Sequence, residues 1–264
     1  MNPSEADIRQ IMVQEKICVV VPTYNNGGTI RQVLERIMPF CDNIIVVNDG
    51  CTDGTHDILV SLSDRISIVE YGANRGKGYA LRRGFEEAER QGFEYAITID
   101  SDGQHYPEDL PLFIAAYQQD KGALIVGSRN LKMENMPGKN TFANRFSNFW
   151  FHIQTGIDLP DTQTGYRLYP LKKLPNLKLL TSRYEAELEL LVGSVWRGTD
   201  LVPIKINVFY PKAEERVTHF RPFWDFFRIS VLNTVLCILA LLYGWPSLII
   251  RKWRRHGYGF AENI

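Results

Sequence analysis

The chain has 264 residues, and 45% of them are hydrophobic, enough to build a core without disulfide support. Its 30 Lys and Arg balance 30 Asp and Glu. That balance excludes a chain-wide basic face of the kind that binds nucleic acid.

In chain order, Met1–Glu15 is polar and lacks an apolar signal-peptide core, so the folded part is expected in the cytoplasm. Ile17–Val21 is rich in β-branched residues and reads as a strand stopped by Pro22. Thr29–Met38 spaces Ile30, Val33, Leu34 and Ile37 at helical intervals. Ile44–Val47 is a second buried strand, followed by the turn-rich Asn48–Thr55. Asp57–Ser63 reads as a short helix, Ile66–Glu70 as a third strand and Gly78–Gln91 as a helix with one charged side. Tyr95–Ile99 is a fourth strand ending at Asp100, Pro107–Gln119 a helix, and Ala123–Val126 a fifth strand. Cys18, Cys41, Cys51 and Cys237 show neither a CxxC nor a zinc spacing and read as thiols of a reducing compartment.

This alternation predicts an α/β fold with a mostly parallel sheet and helices on both faces. Such sheets bind ligands at the carboxyl ends of their strands. Four polar clusters follow strands directly: Pro22-Thr23-Tyr24-Asn25, Asn48-Asp49-Gly50, Asp100-Ser101-Asp102 and Gly127-Ser128-Arg129.

Asp100 and Asp102 flank a single residue beyond an apolar strand, where a turn can aim both carboxylates at one cation. Hard oxygen donors suit Mg²⁺ or Mn²⁺, which share phosphate oxygens with a substrate. Gln104 has the reach to add a ligand.

Val19-Val20-Val21-Pro22-Thr23-Tyr24-Asn25, Val47-Asn48-Asp49-Gly50-Cys51-Thr52-Asp53-Gly54-Thr55, Asn74-Arg75-Gly76-Lys77-Gly78 and Asp100-Ser101-Asp102-Gly103-Gln104-His105 occur in that order. The set resembles the family-two inverting glycosyltransferases. Gly127-Ser128-Arg129 and Asp161-Thr162-Gln163-Thr164-Gly165-Tyr166-Arg167 narrow the resemblance to the dolichol-phosphate mannosyltransferase and polyprenyl-phosphate glycosyltransferase group.

The resemblance covers about residues 17 to 220 and implies a Rossmann-like sheet of the GT-A type, with 1–220 as the catalytic domain. It implies a GDP- or UDP-sugar donor and a polyprenyl phosphate acceptor. Pro22, Tyr24 and Asn25 would line the nucleotide pocket, Asp49 would contact the base with Asp53 nearby, and Lys77 would lie by the base and diphosphate. Asp100 and Asp102 would hold the metal, helped by Gln104. Arg129 and Arg145 would face the acceptor phosphate, and Arg216 would belong to a basic loop closing over the donor. Three positions depart from the usual pattern: Asn26 for Glu, Cys51 for Ser, and Asn144 for Ser.

A divalent cation neutralises charge developing on a diphosphate leaving group. A hydroxyl acceptor needs a general base, for which Glu187 and Asp161 are the candidates. A phosphate acceptor is already anionic and needs arginines to orient it. A nucleotide-sugar-binding protein without catalysis is the remaining alternative, and the intact Asp100, Asp102 and Arg129 oppose it. Gly76 and Gly78 would let the backbone beside Lys77 approach a ligand closely. Glu185, Glu187 and Glu189 read as a solvated face, and His105 and His219 as helix-start and loop residues.

Ile229–Leu242 is an apolar run of 14 residues, and with Tyr243–Ile250 it reaches 22. About 20 residues span a bilayer, but the Gly244-Trp245-Pro246 break favours two shorter helices in the interface. Arg251, Lys252, Arg254 and Arg255 favour anionic lipid and the cytoplasmic face of the membrane. Residues 221–264 are therefore expected to form a membrane-associated helical tail. Its deletion is expected to leave a soluble domain.

Overall fold

Valine and isoleucine runs with no polar face must be covered on both sides. The computed structural model describes residues 4–129, 138–174, 181–209 and 222–257 and meets that requirement with a sheet between two helical layers. In the first half, β1 (Ile17–Thr23), β2 (Ile44–Asn48), β3 (Ser67–Glu70), β4 (Tyr95–Thr98) and β5 (Leu124–Arg129) alternate with α2 (Ile30–Ile37), α3 (Thr55–Val60), α4 (Lys77–Arg90) and α5 (Leu110–Gln119). An N-terminal α1 (Glu5–Gln14) precedes them. The second half adds α6 (Gly138–Thr155), β6 (Arg167–Pro170), α7 (Ala186–Trp196), β7 (Leu201–Ile206), α8 (Pro222–Leu239) and α9 (Trp245–Gly257).

The seven strands run in the order β3-β2-β1-β4-β6-β5-β7. Neighbours are parallel except β6, which is antiparallel to both β4 and β5. Alternate side chains feed two cores. Ile17, Val19 and Val21 join the face covered by α1, α2 and α5, while Cys18 and Val20 join that covered by α4, α6, α7 and α8. All four cysteines are free thiols.

The differences from the sequence expectations have local causes. β1 continues through Pro22 because β4 pairs only as far as Val20, so the missing amide lies outside that ladder. β5 runs on to Arg129, which pairs with Ile206, so Gly127-Ser128-Arg129 is a strand end and not a following loop. The polar N-terminus forms a helix because Ser4 and Asp7 make a capping box and Ile8 and Met12 are buried. β6 has four residues and begins with a buried arginine, a pattern that periodicity does not mark.

The tail forms two α-helices joined by a π-turn at Ala240–Gly244. Pro246 has no amide to donate, and the wide turn just before it absorbs the break. By length and composition, Phe227–Arg254 could cross a membrane. One side of it nevertheless packs on the α/β core: Leu232, Leu236 and Ala240 are at most 3% exposed. Asn233 accepts from the Gln154 side chain at 3.0 Å, and the Trp245 indole donates to the Ile153 carbonyl at 3.2 Å. The Arg251 guanidinium donates to the Arg197 carbonyl. Deletion of the tail would therefore also strip cover from this core.

Close helix-to-sheet contact depends on Gly84, where an added Cβ would stand 2.5 Å from Val20 Cγ1. Alanine gains about 1 kcal/mol of helix propensity, but overpacking costs about 1–3 kcal/mol. Gly84→Ala is expected to lower urea stability by up to about 2 kcal/mol; a more stable variant would show that α4 floats freely on the sheet.

Candidate active site

The register of Val20 with Thr98 brings Pro22 level with Asp100 at the carboxyl edge of the sheet. Ser101 joins the two loops there. Its hydroxyl donates to the Pro22 carbonyl at 3.0 Å and accepts from the Asn26 side-chain amide at 2.8 Å. Its carbonyl accepts from the Thr29 hydroxyl at 2.7 Å. A serine already acting as donor needs a donor in return, which Asn26 supplies and an ionised Glu would not.

Asn25 has a left-handed backbone, φ +52°, which asparagine tolerates. Its side-chain oxygen accepts from the Thr52 amide at 2.8 Å, and its own amide donates to the Cys51 sulfur at 3.2 Å. Cys51 therefore fills the usual serine position as an acceptor in the loop. Asp53 accepts from the Gly27 and Thr55 amides, both at 3.0 Å. Burial opposes its ionisation, but the Thr55 side chain together with these amides holds the carboxyl below its usual range. Tyr24 is half-buried and Pro22 buried within this group.

Asp49 is 3% exposed and holds the next loop. It accepts from Asn74 Nδ2 at 3.0 Å and from the Arg75 and Gly76 amides at 2.7 and 2.9 Å. Burial pushes its carboxyl up against those bonds. The resemblance implied a base contact; the structure shows this carboxylate engaged with the loop that leads to Lys77.

Gly76 and Gly78 do permit a close approach, but to the protein itself. A Cβ at Gly76 would stand 2.7 Å from the Ser182 carbonyl, and one at Gly78 would stand 2.2 Å from the Ala186 Cβ. The start of α4 thus rests on the start of α7, a packing role for those glycines that the sequence did not indicate. Lys77 Nζ then lies 2.6 Å from Asp100 Oδ1 and 3.0 Å from Glu187 Oε2. A Cβ at Gly165 would meet both Asp100 Oδ2 and Lys77 Nζ at 2.6 Å, so only glycine fits below the pair.

Asp102 accepts from the Gln104 amide at 3.0 Å. The backbone of Gln104 also accepts from the Phe209 amide at 2.8 Å. His105, expected at a helix start, is 5% exposed with Nε2 3.7 Å from Asp100 Oδ2. Its position next to Gln104 was the only signal in the sequence. Burial opposes ionisation of Asp100, but Lys77 and His105 hold it well below the usual carboxylate range. Burial and the adjacent Asp100 push Asp102 the other way. A cation would relieve that crowding, so the pair fits Mg²⁺ or Mn²⁺. Among the described residues no group of three or more His, Cys, Asp or Glu encloses a metal, so further ligand oxygens must come from elsewhere, as a diphosphate would provide.

Glu185, Glu187 and Glu189 are 7–9% exposed, so the expected solvated face is corrected. α7 lies between the sheet and the tail. Glu187 serves Lys77, and Glu189 accepts from the Thr181 amide and hydroxyl at 3.0 and 2.7 Å.

Asp161, fully buried, receives Arg129 Nε at 2.6 Å and the second Arg129 nitrogen at 2.9 Å. Asn144 and the Gln163 amide also donate to it, at 2.7 and 3.0 Å. Arg129 is therefore engaged by a carboxylate, while Arg145, one residue after Asn144, is exposed in a shallow depression shared with Asn148, Phe149, His152, Asp158, Leu159 and Pro160. Arg167 closes the motif that begins at Asp161. It is wholly buried and donates to the Glu187 and Thr162 carbonyls at 2.8 and 2.9 Å. Arg216 and His219 lie outside the described residues.

Burial alone would raise the Asp161 carboxyl, but Arg129 lowers it. A lowered carboxyl adds stability above its unfolded value of about 3.9, which is lost as pH falls through the folded value. Asp161→Asn is expected to cost about 3 kcal/mol at pH 7 by urea unfolding, with a smaller difference at about pH 3. An equal loss at both pH values would contradict the ion-pair account.

Residues 18–173 match the family described as Glycosyl transferase family 2. The chain is 28% identical over 220 residues to the UDP-N-acetylglucosamine–dolichyl-phosphate N-acetylglucosaminyltransferase of Methanococcus voltae, across 75% of this chain and 88% of that protein. It is 27% identical over 206 residues to the polyprenol monophosphomannose synthase of Mycolicibacterium smegmatis, across 73% and 77%. Its fold is similar to that of glucosyl-3-phosphoglycerate synthase from Mycobacterium tuberculosis, solved in complex with Mn²⁺ and UDP-glucose. The TM-score is 0.63 at 17% identity, covering 91% of this chain and 83% of that one. The expected GT-A architecture is thus met, and the site stands at its carboxyl edge. With more than half of its length inside the family match, the chain belongs to glycosyl transferase family 2 and is a glycosyltransferase.

Proposed function

We propose that the enzyme transfers a sugar from a GDP- or UDP-sugar to a polyprenyl phosphate, with inversion, at the cytoplasmic face of a membrane. The observation that carries the choice of acceptor is the state of the two candidate bases. Asp161 is buried against Arg129, and Glu187 is paired with Lys77. Neither is placed to take a proton from a hydroxyl, whereas an anionic phosphate needs none taken. The printed names of the two relatives, a dolichyl-phosphate transferase and a polyprenol monophosphomannose synthase, support the same acceptor class.

Asp100 and Asp102 would hold Mg²⁺ or Mn²⁺, with Gln104 beside them. The ion supplies neutralisation of the diphosphate as the bond to the anomeric carbon breaks. Pro22, Tyr24, Asn25 and the Asp53 loop form the wall suited to the nucleoside, and Lys77 adds positive charge near the diphosphate. Arg145 is the exposed cation suited to an acceptor phosphate. Arg129 acts from behind by holding Asp161 and so the segment leading to Gly165. An oxygen of the acceptor phosphate bonds to the anomeric carbon on the face opposite the departing diphosphate.

Residues 221–264 are proposed as the membrane element, with the described helices α8 and α9 lying flat against the bilayer interface. The side turned from the core is apolar: Leu241 and Leu242 are each 74% exposed, Ile249 63% and Trp253 80%. Exposed Lys252 and Arg254 flank Trp253, as anionic headgroups would favour. Phe149 and Ile153 on α6 extend this surface toward the Arg145 depression.

Purified protein in detergent, given Mn²⁺ or Mg²⁺, labelled GDP- and UDP-sugars and a polyprenyl phosphate, is expected to produce lipid-extractable label. EDTA should abolish it, and Asp102→Asn should lower it at least about 10²-fold. Donor turnover without lipid label would move the acceptor to a hydroxyl. Leu241→Glu with Leu242→Glu is expected to weaken binding to anionic vesicles about 10²-fold while leaving the circular dichroism unchanged. Undiminished vesicle binding would remove this face from the membrane contact.

A further inference from the structure

Three carboxylates and one ammonium meet at the centre of the site: Asp100, its neighbour Asp102, Glu187 and Lys77. Lys77 offsets only part of this negative charge, and His105 Nε2 lies 3.7 Å from Asp100 Oδ2. Lys77 touches both Asp100 and Glu187, and its contact with Asp100 is the shorter. It therefore engages a carboxylate that a cation would need. An ammonium and a divalent ion on one carboxylate repel each other strongly.

We propose that Lys77 is a built-in stand-in for the cation at Asp100, and that Glu187 is the positioning residue that receives it when the cation enters. This rests on the reading of Asp100 and Asp102 as metal ligands. The geometry supplies both ends of the exchange. Glu187 needs no movement, because it already lies 3.0 Å from Nζ and its own carbonyl is held by the buried Arg167 at 2.8 Å. The ammonium has no retreat beneath, where the Gly165 backbone lies too close for even a Cβ. No bond is made or broken; one cation replaces another on Asp100, and Lys77 keeps a carboxylate throughout. The arrangement keeps a cation on Asp100 between turnovers, and the freed ammonium remains beside the incoming diphosphate.

The test is Mn²⁺ binding to the full chain in detergent without nucleotide, read by electron paramagnetic resonance of the free ion. Wild type, Lys77→Met, Glu187→Gln and the double variant make a cycle. Lys77→Met is expected to tighten binding about tenfold, since the competitor is gone. Glu187→Gln is expected to weaken binding about tenfold alone and less than about threefold in the Lys77→Met background. Equal weakening in both backgrounds would show that Glu187 acts as a plain negative charge, and would overturn the proposal. So would unchanged binding in Lys77→Met. Should Lys77→Met not fold, Lys77→Gln keeps a hydrogen-bond donor without the charge and takes its place. Asp102→Asn separates the two readings: Mn²⁺ binding that ignores this change places the ion elsewhere and removes the metal assignment itself.

Discussion

The position of the Lys77 ammonium organises the site. Four separate parts of the chain meet around it: the start of α4, the turn after β4, the segment before β6, and α7. Each part has a feature that makes the meeting feasible. Glycines at 76, 78 and 165 remove side chains that would hold the backbones apart, and Asp49 clamps the loop from which Lys77 emerges. The ammonium is in turn what allows Asp100 and Glu187 to stand so close in a poorly solvated place, since buried carboxylates without a partner are costly.

The same logic recurs behind it. Asp161 is fully buried, and Arg129, Asn144 and the Gln163 amide satisfy its oxygens. Arg167 ties the Thr162 carbonyl to the carbonyl of Glu187, linking this second charged cluster to the first. Buried ion pairs contribute little net stability. Their effect here is geometric: they give the polar segments around β6 one arrangement. Arg145 stands apart from this framework, exposed on α6.

The tail's helix pair has two unlike sides. Leu232, Asn233 and Leu236 face the protein, while Leu241, Leu242 and Ile249 face outward. Hydropathy measures the sum of these and so reads the segment as long enough to cross a membrane. The hydrogen bonds from Gln154 to Asn233 and from Trp245 to Ile153 show a helix docked along the domain. Docking brings its apolar side next to α6, the element that carries Arg145.

By itself the sequence determined the alternating elements of the first half, the parallel sheet and the edge where the polar clusters gather. These follow from local periodicity, and the strand limits of the first half were legible to within two residues except the end of β5, which pairing with β7 carries on to Arg129. The motifs around Asp49, Lys77 and Asp100 were legible as chemistry because their residue types and order are distinctive. Only the tertiary structure decided their partners. Glu185, Glu187 and Glu189 look solvated in the sequence and are buried, because α7 is enclosed by elements distant in the chain. His105 and Arg167 became visible only when β4, β6 and α7 converged on them. Gly76 and Gly78 signalled a close approach, but what approaches is a segment about a hundred residues away. A sequence carries the character of each side chain, while a charge or a contact is settled by whatever long-range packing places beside it.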